Sequence, residues 1–131
     1  MAMIMKKSNK KFFLFLHQLP QNILGFILVK LLKAETMYVN INGFFIPFYF
    51  VNQNIRVSLG DYIIVHKNDH SDKTLLHEYG HHLQSLKLGW LYLFVIGIPS
   101  FIGCCIYYLK QFDYFNLPWE KWADKLGGVV R

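Results

Sequence analysis

Two histidines four positions apart, His77 and His81, constrain the fold of this chain more than any other feature of its sequence. They lie in "TLLHEYGHH" (74–82), a run whose single formal charge is that of Glu78. In a helix, residues four apart project from one face a single turn apart, so both imidazoles can reach one ion. A catalytic zinc site adds a third protein ligand and an open position for water. The pair therefore predicts a buried metal-binding helix; a helix with exposed histidines is the alternative.

Glu78 completes an H-E-x-x-H arrangement, in which each residue type has a chemical role. The glutamate is offset from the two histidines around the helix and can sit beside a zinc-activated water. There it would take a proton as the water attacks a carbonyl, and then pass it to the leaving amine. The motif predicts a zinc-dependent peptidase with Glu78 as the general base.

A third metal ligand must come from elsewhere in the chain. After His82 there is no further histidine, and the only acidic residues are Asp113, Glu120 and Asp124. Glu120 and Asp124, in "EKWAD", are four apart and share one helical face. One carboxylate can ligate zinc while the other accepts the spare N–H of a ligand histidine and fixes its orientation. A solvated acidic pair between lysines is the alternative.

"HEYGH", then an apolar stretch, then "EKWADKLGG", resembles the gluzincin metallopeptidases, whose pattern is H-E-x-x-H followed by E-x-x-x-D. The late motif E-x-x-A-D is most similar to that of the membrane-bound gluzincins, which include prenyl-protein proteases and bacterial heat-shock membrane proteases. The length of this chain, 131 residues, is closer to that of the minimal gluzincins. The resemblance implies a zincin-like fold, His77, His81 and Glu120 as zinc ligands, Glu78 as base, and Asp124 as the residue that orients a ligand histidine.

The segments between the motifs predict a single α+β domain. Four β-branched or aromatic runs in 37–66 are separated by turn pairs, of which Asn42-Gly43 is a strong hairpin signal, so a small antiparallel sheet is expected. Ser71 or Asp72 can cap the following helix, and Gly89 can end it. The predicted segments of the domain 1–131 are a basic tail (1–11), an amphipathic membrane-associating segment (12–35), the sheet (37–66), the HExxH helix (71–87), an apolar hairpin (88–109) and the third-ligand helix (117–127). For the helix expected at 21–34, which carries Leu24 and Leu28 at helical spacing, packing on the domain is the alternative.

The apolar stretch 88–109 is uncharged and, as one helix, would be about 33 Å long, enough to cross a bilayer. A single crossing would separate His81 from Glu120, which must meet at one ion. Gly97 and Pro99, in "IGIPS", break a helix readily. A helical hairpin that dips into the membrane and returns is therefore expected, with two short helices buried as domain core as the alternative.

Charge and hydropathy favour a lipid partner. Residues 1–35 contain six lysines against one acidic residue, Glu35, and the whole chain is 53% hydrophobic. A basic start followed by apolar sequence suits an anionic membrane surface. The chain has only two arginines and no basic stripe, so a nucleic-acid partner is not expected. These features predict a membrane-associated protein, monotopic or hairpin-anchored, with its active site on the cytoplasmic side and a peptide or protein substrate, including membrane proteins.

Two other functions fit the sequence less fully. The first is a non-catalytic membrane-associated binding module with a vestigial zinc site, although the intact Glu78 favours an enzyme. The second is an intramembrane protease resembling the site-2 proteases, which use an aspartate in a later apolar helix. Asp124 lies instead in a charged segment that contains tryptophan. A zinc metalloendopeptidase therefore remains the prediction.

Overall fold

A computed structural model describes residues 12–69, 71–110 and 116–131, so the basic tail expected at 1–11 lies outside the described residues. The chain is a mixed helix-and-sheet domain, as predicted. A π-helical turn, Leu93–Gly97, leads into the fourth helix. The elements are α1 (12–17), α2 (Leu19–Leu31), β1 (Glu35–Ile41), β2 (Phe44–Val51), β3 (Val57–Leu59), β4 (Tyr62–His66), α3 (Asp72–Leu88), α4 (Ile98–Lys110) and α5 (Pro118–Gly127).

The four strands form one sheet in the order β1-β2-β4-β3. β1 and β2 are joined by Asn42 and Gly43, both at positive φ, which confirms the predicted two-residue hairpin. The expectation of a wholly antiparallel sheet was wrong, because β2 and β4 are parallel. β4 is buried along Ile63, Ile64 and Val65, and such a continuous apolar strand belongs in the centre of a sheet covered on both faces. The short β3 therefore takes the edge.

Helices cover both faces of this sheet. Phe48, Phe50, Ile63 and Val65 pack with Leu75 of α3 on one face. On the other, Val51 and Ile64 pack with Val29 of α2. Because successive strand residues point to opposite faces, the central strands β2 and β4 contribute to both cores. The sheet thus fixes α3, which carries the histidine motif, between itself and the C-terminal helix.

α3 begins and ends close to the predicted residues. The Ser71 side chain accepts a hydrogen bond from the Thr74 N–H, as an N-cap does, and the Gly89 N–H reaches the carbonyl of Ser85. α5 begins at Pro118, where the missing N–H of proline costs no helical hydrogen bond. Both motif-bearing helices are therefore defined by local signals.

The apolar stretch is not a hairpin broken at Gly97 and Pro99. Residues 91–110 are continuously helical, and the break lies instead in the turn at Gly89 and Trp90, between α3 and this helix. Within the π-helical turn the Ile98 N–H bonds to the carbonyl of Leu93, five residues back. The wider turn accommodates the proline ring without ending the helix. Within the described residues, none of the helices combines the length and the apolar character that crossing a bilayer requires.

Candidate metal centre

α3 and α5 run side by side in opposite directions, and two glycines set their spacing. A Cβ added to Gly80 would lie 1.8 Å from the carbonyl oxygen of Ala123, and one added to Gly127 would lie 1.9 Å from that of Leu76. Only hydrogen fits at either position. This close contact brings one turn of α3 against one turn of α5, and both polar motifs lie on the facing surfaces.

Three side chains converge between the two helices. The Nε2 atoms of His77 and His81 each lie 3.0 Å from the same oxygen, Oε2 of Glu120. All three residues are buried, with Glu120 fully so. Ligands about 2.0–2.1 Å from a tetrahedral zinc are roughly 3.3 Å apart, so this spacing is close to that of a metal-binding set. Among the described residues, His77, His81 and Glu120 form a group that could hold a metal ion.

The second ring nitrogen of His77 is held by Asp124. His77 Nδ1 lies 2.6 Å from Asp124 Oδ1, and Asp124 in turn accepts hydrogen bonds from Arg131, at 2.6 Å from Nε and 3.3 Å from Nη2. We assign Nδ1 of His77 as the donor to Asp124, because a carboxylate oxygen is a hydrogen-bond acceptor. Nε2 of a neutral His77 is then an acceptor directed at Glu120.

Gln84 holds Nδ1 of His81, as Asp124 holds Nδ1 of His77, and this role was not predicted from the sequence. The Gln84 Nε2 donates to the carbonyl of Trp119 at 2.8 Å, which turns its amide oxygen to His81 Nδ1 at 2.7 Å. His81 Nδ1 is therefore a donor, and its Nε2 faces Glu120. A signal was present: Gln84 follows His81 by three residues and so shares its helical face.

Ser100 fixes the other oxygen of Glu120. Its hydroxyl donates to Glu120 Oε1 at 2.7 Å. Ser100 lies on α4, so this bond joins the long apolar helix to the centre. A serine in an apolar segment gave no sequence signal of this contact, and Arg131 gave none either.

The electrostatics of the cluster favour positive charge. Burial lowers the pKa of His81, but hydrogen bonds to Glu120 and Gln84 and the charges of Glu78 and Glu120 together raise it to about 9. Burial also lowers the pKa of His77, but hydrogen bonds to Glu120 and Asp124 and the charge of Glu78 together raise it. Burial raises the pKa of Glu120, but its bonds to the two histidines shift it strongly below its usual range. Two imidazole lone pairs and a carboxylate oxygen thus converge where positive charge, from protons or from a metal ion, is stabilised.

Glu78 is buried next to this cluster and is the least satisfied of its polar groups. Its Oε2 has no hydrogen-bond partner among the described residues. Burial raises the pKa of Glu78, and the two histidines oppose that rise. A carboxylate in this state is a strong proton acceptor, as a general base must be.

The structure brings together all five site residues that the sequence predicted: His77, Glu78, His81, Glu120 and Asp124. It also resolves which acidic residue faces both histidine Nε2 atoms, since Glu120 does and Asp124 bonds to Nδ1 instead. Comparison of the chain with protein-family models, curated proteins and solved structures gave no match. The site is therefore interpreted from its own geometry.

Proposed function

We propose that the chain is a zinc-dependent metalloendopeptidase with a zincin-like fold of the gluzincin type. The observation that carries the proposal is the convergence of two histidine Nε2 atoms on one oxygen of Glu120, at 3.0 Å each. Two imidazoles and one carboxylate are the donor set of a hydrolytic zinc site with an open position. The resemblance of the H-E-x-x-H and E-x-x-A-D motifs to gluzincins supports the same assignment.

Hydrogen bonds behind the ligands support a metal rather than a chance cluster. Each histidine donates Nδ1–H to an oxygen acceptor, Asp124 or Gln84, and Ser100 donates to Glu120. Such partners fix tautomer and ring orientation in metal sites and raise the affinity of the ligands. Buried polar groups find partners with or without an ion, so what favours a metal is that these partners leave both Nε2 atoms directed at Glu120.

The residues divide the chemistry between them. His77, His81 and Glu120 would hold the ion, which would polarise the substrate carbonyl and lower the pKa of a water molecule. Glu78 would accept the proton from the attacking water and deliver it to the leaving amine. Its buried and unpaired Oε2 supports that role. Asp124 and Gln84 would keep both imidazoles in the ligand orientation.

The arrangement does not support a site-2-type protease. Asp124 contacts Nδ1 of His77, the nitrogen directed away from the cluster. The aspartate that such enzymes use as a ligand would have to face the ion. The binding-module alternative differs only in activity and is separated from the enzyme by experiment.

The first test is metal content. Purified protein should contain close to one zinc per chain, and His77→Ala should lose most of it while keeping its helical circular dichroism. Well-folded wild-type protein without zinc, after incubation with the metal, would contradict the proposal.

The second test is the Glu78→Gln variant, assayed on a mixture of quenched fluorescent peptides and on unfolded membrane proteins. Because the base does not hold the ion, zinc content should be unchanged and hydrolysis should fall roughly 10²- to 10⁴-fold. Activity that survives in the variant would refute the mechanism. A filled zinc site without activity on any substrate would favour the binding module.

A further inference from the structure

The polarity of α2 is inverted relative to a helix on a water-exposed surface. Its buried positions include Gln21 and Asn22, at 0% and 2% exposure. Its outward positions include Ile23, Leu24 and Phe26, each 47–50% exposed. A helix that packs on a domain in water normally buries its apolar stripe and exposes its amides. The alternative, a helix packed on the domain, holds for Val29 and Leu28 but not for Leu24.

The buried amides are held by specific bonds that fix this orientation. Gln21 Nε2 donates to Ser85 Oγ at 3.1 Å and to the carbonyl of Gly89 at 2.7 Å. Asn22 accepts from the Asp61 N–H at 2.8 Å. These bonds lock the polar face of α2 against the end of α3 and the β3–β4 turn. Ile23, Leu24 and Phe26 then face outward.

The helical segment from Leu91 through α4 also exposes large apolar side chains. Its exposed stripe consists of large apolar side chains, and residues 88–109 contain no charged residue. Its opposite side buries Tyr92 and Ile96 and carries Ser100, which bonds to Glu120. The stripe is formed by Leu91, Phe94, Val95, Ile98, Phe101 and Ile102.

α1 joins these two apolar faces. Phe12 and Phe13 are 65% and 62% exposed, and α1 runs directly into α2. At its other side the Trp90 indole N–H donates to the carbonyl of Leu16 at 2.8 Å. Trp90, itself 58% exposed, begins the segment that leads into α4. We call the exposed apolar side chains of α1, α2 and residues 90–107 the apolar surface.

We propose that the apolar surface binds the interface of an anionic lipid bilayer, with the domain lying on the membrane. Exposed apolar area of this extent marks an interaction site. Lys30 and Lys33 are exposed at the end of α2, and residues 1–35 carry six lysines against one glutamate. Apolar penetration combined with basic residues is the pattern of interfacial helices on anionic lipid. Trp90, with its polar edge satisfied, suits the headgroup level.

Charge distinguishes lipid from a second copy of the chain as the occupant. Two copies that met through this surface would bring the exposed Lys30 and Lys33 of each copy together, whereas anionic headgroups would neutralise them. This inference does not depend on zinc or on peptidase activity, because none of the exposed residues of the apolar surface belongs to the metal centre.

Vesicle flotation of the full-length, zinc-treated protein tests the proposal. Wild-type protein should float with vesicles of phosphatidylcholine and phosphatidylglycerol, and should stay bound in part at high salt. Phe94 lies in the π-helical turn and Phe101 on α4, and both side chains are about 70% exposed. The double change Phe94→Asp with Phe101→Asp, which we call the α4 variant, should reduce binding by roughly tenfold or more. The matched control is Phe44→Asp combined with Phe45→Asp, equally exposed on the β1–β2 hairpin, which should float like wild type.

Equal losses in the two double variants, or no loss in the α4 variant, would overturn the proposal. Complete release of the wild-type protein from vesicles by high salt would also overturn it. A third contrary result would be wild-type protein that does not float and sediments as a dimer, with the α4 variant sedimenting as a monomer. If the α4 variant does not fold, a spin label provides the test. The nitroxide is attached to the cysteine of Ile102→Cys, in a protein whose Cys104 and Cys105 are replaced by serine. With vesicles it should be relaxed more by oxygen than by a water-soluble nickel complex; a label at Phe44→Cys should show the reverse.

Discussion

His77 Nδ1 and Asp124 Oδ1 lie 2.6 Å apart across the α3–α5 contact, and Arg131 holds the same carboxylate from its other side. The contact joins two residues 47 positions apart and leaves Nε2 of His77 directed at the cluster. Asp124 therefore controls a metal ligand without occupying a ligand position.

Asp124→Asn should weaken zinc affinity by about 10- to 100-fold rather than abolish binding. The amide keeps the shape of the side chain but removes the charge that favours the Nδ1–H tautomer. Competition with a fluorescent zinc chelator measures the change. Asp72→Asn, at an exposed position of the same motif-bearing helix α3, should bind zinc like wild type. Equal affinities for the two variants would show that Asp124 does not orient His77.

Ser100→Ala should also weaken zinc binding, by a factor of several, since Oε1 of the fully buried Glu120 loses a donor. Cys105→Ala, at an exposed position of the same helix, is the control and should leave the affinity unchanged. Isothermal titration of both variants with zinc checks this. An unaltered affinity in Ser100→Ala would mean that α4 does not support the centre.

Gly80→Ala should destabilise the fold by about 2 kcal/mol or more, because its methyl group would meet the Ala123 carbonyl oxygen at 1.8 Å. Gly97→Ala is the matched control. There the nearest atom to an added Cβ is Leu93 Cδ2 at 3.5 Å, an ordinary contact, so stability should be equal or slightly higher. Urea unfolding of the zinc-free proteins measures both. Zinc affinity should fall in Gly80→Ala alone, as the helices are forced apart.

Chelator-treated protein should lose stability as pH rises from about 6.5 to about 9. The pKa of His81 is raised to about 9 in the folded protein. The stabilisation that its protonation provides is therefore fully present below the pKa of the unfolded state, about 6.5, and is lost as the pH rises through the pKa of the folded state. Glu120 has a lowered pKa, so its contribution is present above its usual value and is lost on acidification. Thermal unfolding at several pH values checks this. His81→Gln should flatten the alkaline loss, and saturating zinc should reverse it because metal replaces protons. A pH-independent melting temperature would contradict the coupling.

Local signals predicted much of the site. Ser71, Gly89 and Pro118 mark the ends of α3 and α5, and the i, i+4 spacing of the two motifs placed four polar side chains on facing surfaces. Contacts that depend on tertiary packing were not predictable. Ser100 reaches Glu120 only because α4 approaches α5. The Gln84 bond to the Trp119 carbonyl likewise depends on the α3–α5 contact, although the spacing of Gln84 and His81 within α3 was visible in the sequence.

The errors in the predicted fold have physical causes as well. β4 pairs in parallel with β2 because its continuous apolar residues require a central position, covered on both faces. Which strand takes that position depends on the whole sheet and not on local sequence. Pro99 was expected to break the helix, yet the π-helical turn before it already carries the altered hydrogen bonding that the proline requires. The orientation of α2 follows from its buried amides, whereas sequence periodicity identified only an apolar stripe.

The glycine contacts between α3 and α5 have a consequence for the lifetime of a bound ion. His77 and His81 lie on α3 and Glu120 lies on α5, and no side chain separates the two helices at Gly80 and Gly127. An ion held by all three residues would be released when α5 separates from α3. Its dissociation rate would then follow local opening of α5, so zinc release and hydrogen exchange of the α5 amides should share one rate constant.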